Sequence, residues 1–206
     1  MSDPYLIKTE TELRAVIGDA PPGLEQKNID HLDAFALAFV AQSPFLILAT
    51  SNAQGQIDAS PKGDGPGFVE VVDDRTLLLP DRPGNRLAYG HLNVLENPQV
   101  GLIFMIPGTP ETLRINGEAQ LTCEPQLLER LAARGKPATL ALRVQVREVF
   151  FHCAKAFIRS GLWQPDDWPE RHRVSFGEML AARRGGDADA AAQIDAAVEQ
   201  DYRQNL

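Results

Sequence analysis

Three basic residues beside glycine-containing turns are the side chains whose type and spacing best support chemistry. Lys62 precedes a glycine-rich segment at 63–67, and Arg82 and Arg86 flank a Pro-Gly-Asn turn. The sequence predicts a helix that begins at this turn. Its free backbone N–H groups and two guanidinium groups would bind a phosphate monoester. The alternative is that both arginines are solvated or paired with Asp81.

Other catalytic motifs are absent from the sequence. The glycines at 63–67 lack GxGxxG spacing, and neither a P-loop nor a GxSxG elbow occurs. The four histidines are scattered, and we interpret each as a surface or core residue. Cys123 and Cys153 lack CxxC spacing, and we expect two reduced, buried thiols. We therefore predict no metal site, and the sequence identifies no catalytic residue.

Charge and hydropathy exclude two classes of partner. The chain of 206 residues carries 20 basic and 28 acidic residues, for a net charge of −8, and it contains no Lys/Arg run. Nucleic-acid binding would require the opposite balance on at least one face. No apolar stretch is long enough to span a bilayer, and the first residues lack a secretory signal. These features predict a cytoplasmic protein that binds neither nucleic acid nor membrane.

Helical patterns mark both ends of the chain. Thr9 and Glu12 have capping-box spacing, and Gly18 would end the first helix. Asp30 is the predicted N-cap of a second helix, whose buried face would contain Leu32, Phe35, Ala36, Phe39 and Val40. An Ala-rich tail over 176–206 is predicted to be helical. We expect residues 1–44 to pack on a central domain at 45–163 and residues 164–206 to form a C-terminal helical tail.

The central region is dominated by strand and turn patterns. Strands are predicted over 45–51, 56–62, 68–72, 76–79, 100–106, 112–122 and 138–151, with helices over 85–96 and 126–134. Most of these strands are linked by hairpin turns, which favours an antiparallel barrel over a doubly wound sheet. The predicted fold class is mainly β with flanking helices.

Four segments of the central region follow one another in a specific order. They are Asp58-Ala59-Ser60-Pro61-Lys62-Gly63, then LPDRPGNRL at 79–87, LENPQVGLIF at 95–104 and TLRINGEA at 112–119. Together they resemble the FMN-binding split-barrel family typified by pyridoxamine 5'-phosphate oxidase. Residues 152–163 are similar to the closing segment of some FMN-binding members. The resemblance implies an antiparallel split β-barrel that binds FMN.

The resemblance also implies the residues that hold the cofactor. Ser60, Pro61 and Lys62 would run along the flavin, with Lys62 facing the phosphate or ribityl chain. The phosphate would be bound by Arg82, Asn85 and Arg86, and Thr112 lies near a position that touches the ring system. In a homodimer the second subunit would close the flavin site with Lys155, Arg159 and Trp163. An alternative for these last three is an interface anchor at Trp163 and rim charges at Lys155 and Arg159.

The same comparison of residues does not identify the substrate. Vitamin B6 enzymes of the family carry a Trp-Gln-Gly element and an Arg-Leu-His element, whereas this chain has Trp163-Gln164-Pro165 and Arg171-His172-Arg173. We therefore predict an FMN-dependent oxidoreductase that acts on an unidentified small molecule, with the flavin at a homodimer interface. The alternatives are a member of the fold that uses deazaflavin or haem, a flavin sensor or storage protein, and an empty barrel that serves as a dimeric interaction protein.

Overall fold

Seven strands form one antiparallel sheet in a computed structural model that describes residue 3 and residues 5–205. The strands are β1 (Phe45–Ser51), β2 (Ile57–Gly63), β3 (Glu70–Asp73), β4 (Thr76–Asp81), β5 (Gln99–Met105), β6 (Thr112–Thr122) and β7 (Leu140–His152). Their order in the sheet is β2-β1-β5-β6-β7-β4-β3. The predicted fold class, mainly β with flanking helices in an antiparallel split β-barrel, is confirmed.

Seven α-helices flank the sheet within the described residues. They are α1 (Glu10–Ile17), α2 (Ala34–Gln42), α3 (Tyr89–Glu96), α4 (Pro125–Arg130), α5 (Lys155–Ser160), α6 (Phe176–Arg184) and α7 (Ala188–Asn205). The predicted helical tail is present as two helices, α6 and α7. They are separated at Gly185, whose φ of 72° ends α6 in the left-handed conformation that glycine favours.

The core lies on the concave face of the sheet. Alternate residues of β1 and β6 point inward because successive side chains of a strand face opposite sides. Leu46 and Leu48 of β1 pack in one cluster with Phe104 of β5 and with Leu113 and Ile115 of β6. Helix α2 adds three further buried side chains to this cluster, Ala36, Phe39 and Val40. The core therefore fixes the position of β1. Because β2 pairs with β1 in the sheet, β2 is held in place as well.

The two edge strands leave an opening in the barrel. Residues 64–69 join β2 to β3, and no ladder pairs these two strands in the described part of the chain. The pairing of β3 stops at Leu78, so the last residues of β4 extend beyond it. The end of β4 thereby approaches the end of β2 through side chains instead of backbone hydrogen bonds.

Local capping explains where the first two helices begin. Thr9 and Glu12 form the predicted capping box, in which the Glu12 N–H donates to Thr9 Oγ1 and the Thr9 N–H donates to Glu12 Oε2. The predicted N-cap of α2 was wrong, because Asp33 Oδ1 accepts from the Ala36 N–H at 2.8 Å. Asp30 instead pairs with Arg75 at 2.8 Å.

Two burial predictions were also wrong. Phe35 is 74% exposed, whereas Ala36, Phe39 and Val40 of the same helix are buried. Cys123 and Cys153 are free but exposed, because each follows the end of a long strand, where the chain leaves the core. Across the described residues, no helix combines the length and apolar character that crossing a membrane would need.

Gly117 occupies a close approach between β6 and β7. The register shifts between Asn116 and Gly117, and a Cβ at Gly117 would contact the backbone carbonyl of Gln145. We expect Gly117→Ala to lower the free energy of unfolding by about 1–3 kcal/mol, since the backbone must move to admit the methyl group. Thermal unfolding would measure the loss. Gly65→Ala is the control, because nothing lies within 4 Å of its Cβ position. An equal effect of both substitutions would contradict this explanation.

Candidate functional site

A cavity of about 880 Å³ lies at the opening of the barrel. Its walls come from β2, the end of β4, the loop at 82–88, the start of α3 and the last turns of α7. Sites for small molecules and cofactors commonly have volumes of about 300–1,000 Å³. The cavity is large enough for a ligand of nucleotide size.

Strand β2 presents one face to this cavity. Asp58, Ser60 and Lys62 line it, because alternate side chains of the strand share a face. Pro61 lies between them with its ring exposed on the opposite face and does not line the cavity. Any contact of Pro61 with a ligand in this cavity would have to come from its backbone.

Two ion pairs connect the end of β2 to the end of β4. Lys62 Nζ donates to Asp81 Oδ1 at 2.9 Å, and Arg82 Nε donates to Asp64 Oδ2 at 2.9 Å. All four side chains are at most one-quarter exposed. We call these four residues the β2–β4 latch. Asp81 is thus paired with Lys62, and Arg82 with a carboxylate that the sequence did not single out.

Asp81 is ionised within this latch. Burial by itself would raise the pKa of Asp81, but the hydrogen bond and positive charge of Lys62, together with the adjacent His91 ring, outweigh burial and lower it. His91 Nε2 lies 3.4 Å from Asp81 Oδ1, and the His91 side chain is only 13% exposed. This nitrogen is buried and has no hydrogen-bond partner among the described residues. One carboxylate oxygen therefore faces two nitrogen groups but accepts a hydrogen bond from only one.

The loop at 82–88 has an unusual backbone. Arg86 and Ala88 have φ values of 62° and 54°, the left-handed region that costs energy for residues other than glycine. The Asn85 side chain supports the loop by accepting from the Leu87 N–H at 3.0 Å. The predicted helix start at 85 was wrong, because these left-handed residues delay α3 until Tyr89. Strained backbone of this kind is common at ligand-binding loops.

Apart from Pro61, the predicted site residues fall into two groups. One group lines the cavity, and it contains Ser60, Lys62, Arg82, Asn85 and Arg86. The other group does not line it, and it contains Thr112, Lys155, Arg159 and Trp163. Thr112 is buried and pairs with His152 at the far end of β7, just before α5.

The two groups lie near opposite ends of β7. Leu140, at the first end of this 13-residue strand, lines the cavity, whereas α5 follows the other end. At roughly 3.3 Å per residue the two ends are separated by about 40 Å of strand. The second group would therefore act on a ligand in this cavity only if it came from another copy of the chain.

The segment around α5 combines exposed charge with exposed apolar surface. Trp163 stacks on Phe157 with ring centroids 5.7 Å apart, and its buried indole Nε1 has no hydrogen-bond partner in the described part of the chain. Lys155 and Arg159 are exposed, and so are the apolar side chains of Ile158 and Leu162. This surface offers both hydrophobic contact and positive charge to a partner.

Sequence reasoning missed three other groups at the cavity. Asp58 lies on the Lys62 face of β2, which strand alternation alone could have indicated. His91 is in the first turns of α3. Asp201 and Asn205 of α7 also line the cavity, where Lys136 Nζ donates to the Gln204 carbonyl at 2.7 Å. The sequence carries no local signal for this long-range position of α7.

Comparisons with known proteins address the same region of the chain. The family model described as Pyridoxamine 5'-phosphate oxidase matches residues 32–153. That range contains the whole sheet and the residues of the β2–β4 latch. A search of the curated proteins found no match to this sequence.

Solved structures resemble the chain at low identity. HupZ of Group A Streptococcus is 18% identical, with a TM-score of 0.45 over 55% of this chain and 88% of that one. An FMN-binding protein from Syntrophomonas wolfei is 11% identical, with a TM-score of 0.45 over 56% and 81%. HutZ, the haem storage protein of Vibrio cholerae, is 18% identical, with a TM-score of 0.40 over 59% and 93%. FMN and haem are the ligands named for the last two proteins, not for this chain.

Proposed function

The chain belongs to the pyridoxamine 5'-phosphate oxidase family, and on this premise we propose that its cavity binds FMN and that the protein is an oxidoreductase acting on a small molecule. One observation carries the proposal. Ser60, Lys62, Arg82, Asn85 and Arg86 come from two distant segments of the sequence and line one cavity of nucleotide size.

The donor groups of the cavity fit a phosphate. Arg82 Nη1 is buried and has no hydrogen-bond partner among the described residues, and a buried donor of this kind usually has an acceptor in the functional protein. Arg86 lines the cavity and forms no ion pair with any described residue. Guanidinium groups bind phosphate oxygens through charge-assisted hydrogen bonds. Arg82 and Arg86 are thus the residues that would hold the FMN phosphate.

The remaining residues would orient the cofactor and shape its surroundings. FMN supplies the electron or hydride transfer when it is bound. Ser60 offers a hydroxyl from the cavity face of β2, and Lys62 provides a cation at the end of the same strand. The start of α3 and the last turns of α7 complete the lining of the cavity.

A second copy of the chain is part of the proposal. The α5 segment does not reach its own cavity, yet it carries Lys155, Arg159 and Trp163 beside exposed Ile158 and Leu162. A two-fold homodimer would bury this apolar surface and bring each α5 segment to the partner's flavin. We propose such a dimer, located in the cytoplasm, with two equivalent sites.

Cofactor content is the direct test of the proposed function. We expect purified protein to be yellow and to release FMN on denaturation, or to take up one FMN per chain on reconstitution. The flavin absorbance, combined with mass spectrometry of the released molecule, would measure this. Purification with deazaflavin or haem, or failure to bind FMN, would contradict the proposal. Turnover would then separate an enzyme from a storage protein, because an enzyme must reoxidise and reduce its flavin repeatedly with a small-molecule substrate.

A further inference from the structure

One oxygen of Asp81 faces two nitrogen groups from different elements. Lys62 Nζ from β2 donates to Oδ1 at 2.9 Å, whereas His91 Nε2 from α3 lies 3.4 Å from the same oxygen without a hydrogen bond. The Asp81 and His91 side chains are 17% and 13% exposed. Most buried polar side-chain atoms in folded proteins have a hydrogen-bond partner, so a buried nitrogen without one calls for an explanation.

Lys62 has a competing role in the cavity. It lines the space in which a phosphate-bearing ligand would bind, and its long side chain can reorient within that space. A phosphate that draws Lys62 away would leave Asp81 ionised and poorly hydrated. An unpaired carboxylate in such surroundings is costly, so a second cation at Asp81 would stabilise the bound state.

His91 is the group placed to supply that cation. The other charged groups that line the cavity with it are Asp58 and Lys62 of β2, Asp81 of β4, Arg82 and Arg86 of the loop, and Asp201 of α7. Of these, Asp81 is in direct contact with the ring. A protonated His91 could donate from Nε2 to Oδ1 after a small adjustment of the ring.

We propose that His91 is a positioning residue that replaces Lys62 as the partner of Asp81 when an anionic ligand binds, so that binding takes up a proton. This inference rests on the proposed FMN site. Loss of Lys62 leaves the Asp81 carboxylate facing His91 alone, which favours the imidazolium over the neutral ring. The contribution of this contact to affinity requires protonated His91, so it is greater at low pH than at high pH.

The first experiment needs no ligand. In Lys62→Met, Asp81 has lost its lysine, so His91 should titrate at a pH about one unit or more above its value in the wild type. NMR of the imidazole protons would follow this titration, and His172 in the exposed tail is the internal control. An unchanged His91 titration in a folded Lys62→Met protein would overturn the exchange of partners.

The second experiment measures the proton itself. Calorimetric titration with FMN at pH 7, in two buffers of different ionisation enthalpy, should show proton uptake by the wild type. The uptake should be smaller in His91→Gln and absent with riboflavin, which lacks the phosphate. Equal uptake by wild type and His91→Gln would overturn the inference. If the wild type does not bind FMN, the proposed function fails, and the NMR titration alone decides whether His91 and Lys62 compete for Asp81.

Discussion

Replacing Arg86 with alanine is expected to weaken FMN binding at least ten-fold while leaving riboflavin binding nearly unchanged. Arg86 lines the cavity and is free of ion pairs with the described residues, so its guanidinium is available to the phosphate. A charge-assisted hydrogen bond contributes roughly 1.5–3 kcal/mol, and about 1.4 kcal/mol corresponds to a factor of ten in affinity. Fluorescence titration of both flavins would measure the two dissociation constants.

Arg134 provides a matched control for this substitution. Like Arg86 it is an arginine in the left-handed conformation, with φ of 52°, but it does not line the cavity. Arg134→Ala therefore removes the same charge at a position with a similarly strained backbone. Comparable losses in the two variants would show that net charge or folding is responsible. If Arg86→Ala weakened the binding of FMN and riboflavin equally, this result would contradict binding of the phosphate by Arg86.

The latch explains why Lys62 and Arg82 are less suitable for this test. Each is paired with a carboxylate at 2.9 Å, so its replacement would remove the lysine from Asp81 or the arginine from Asp64, and these carboxylates are only 17% and 14% exposed. Weaker FMN binding in such a variant could follow from a disturbed barrel opening. Arg86 avoids this ambiguity, because removing it leaves no described carboxylate unpaired.

Local sequence patterns were sufficient to predict most of the secondary structure. The bounds of β1 and β6 were predicted correctly, β1 from the continuous apolar run at 45–51 and β6 from the turn at 107–110 that precedes it. The capping box at Thr9 and Glu12 located the start of α1. The start of α3 was missed, because left-handed conformations at Arg86 and Ala88 have no signature in these residue types.

Long-range contacts account for what the sequence did not reveal about the site. Arg82 pairs with Asp64 only because the ends of β2 and β4 meet at the barrel opening. Asp201 reaches the cavity only because the end of α7 lies against the loop that contains Lys136. Neither proximity follows from local periodicity. The motif segments predicted which residues could bind an anion, whereas tertiary structure determines which of them are already paired.

Replacing Trp163 with alanine is expected to weaken dimerisation and flavin binding together. Trp163 stacks on Phe157 beside exposed Ile158 and Leu162, at the end of β7 that lies away from the cavity. Light scattering should give about 45 kDa for the wild type, twice the 22.6 kDa chain mass. The variant should shift toward the monomer at micromolar concentration. Trp168→Ala is the control, since the Trp168 indole already donates to the Leu162 carbonyl within its own chain.

A mixed dimer would show whether one site takes residues from both chains. If Arg86 of one chain and Trp163 of the other share a flavin, pairing an Arg86→Ala chain with a Trp163→Ala chain creates one intact site and one doubly defective site. Differently tagged chains, co-expressed and purified as the heterodimer, should bind one FMN per dimer with wild-type affinity, although neither variant homodimer does so. A heterodimer without a wild-type site would indicate that each site is built from one chain. A monomer that binds FMN tightly would contradict the shared site and leave Lys155, Arg159 and Trp163 with structural roles only.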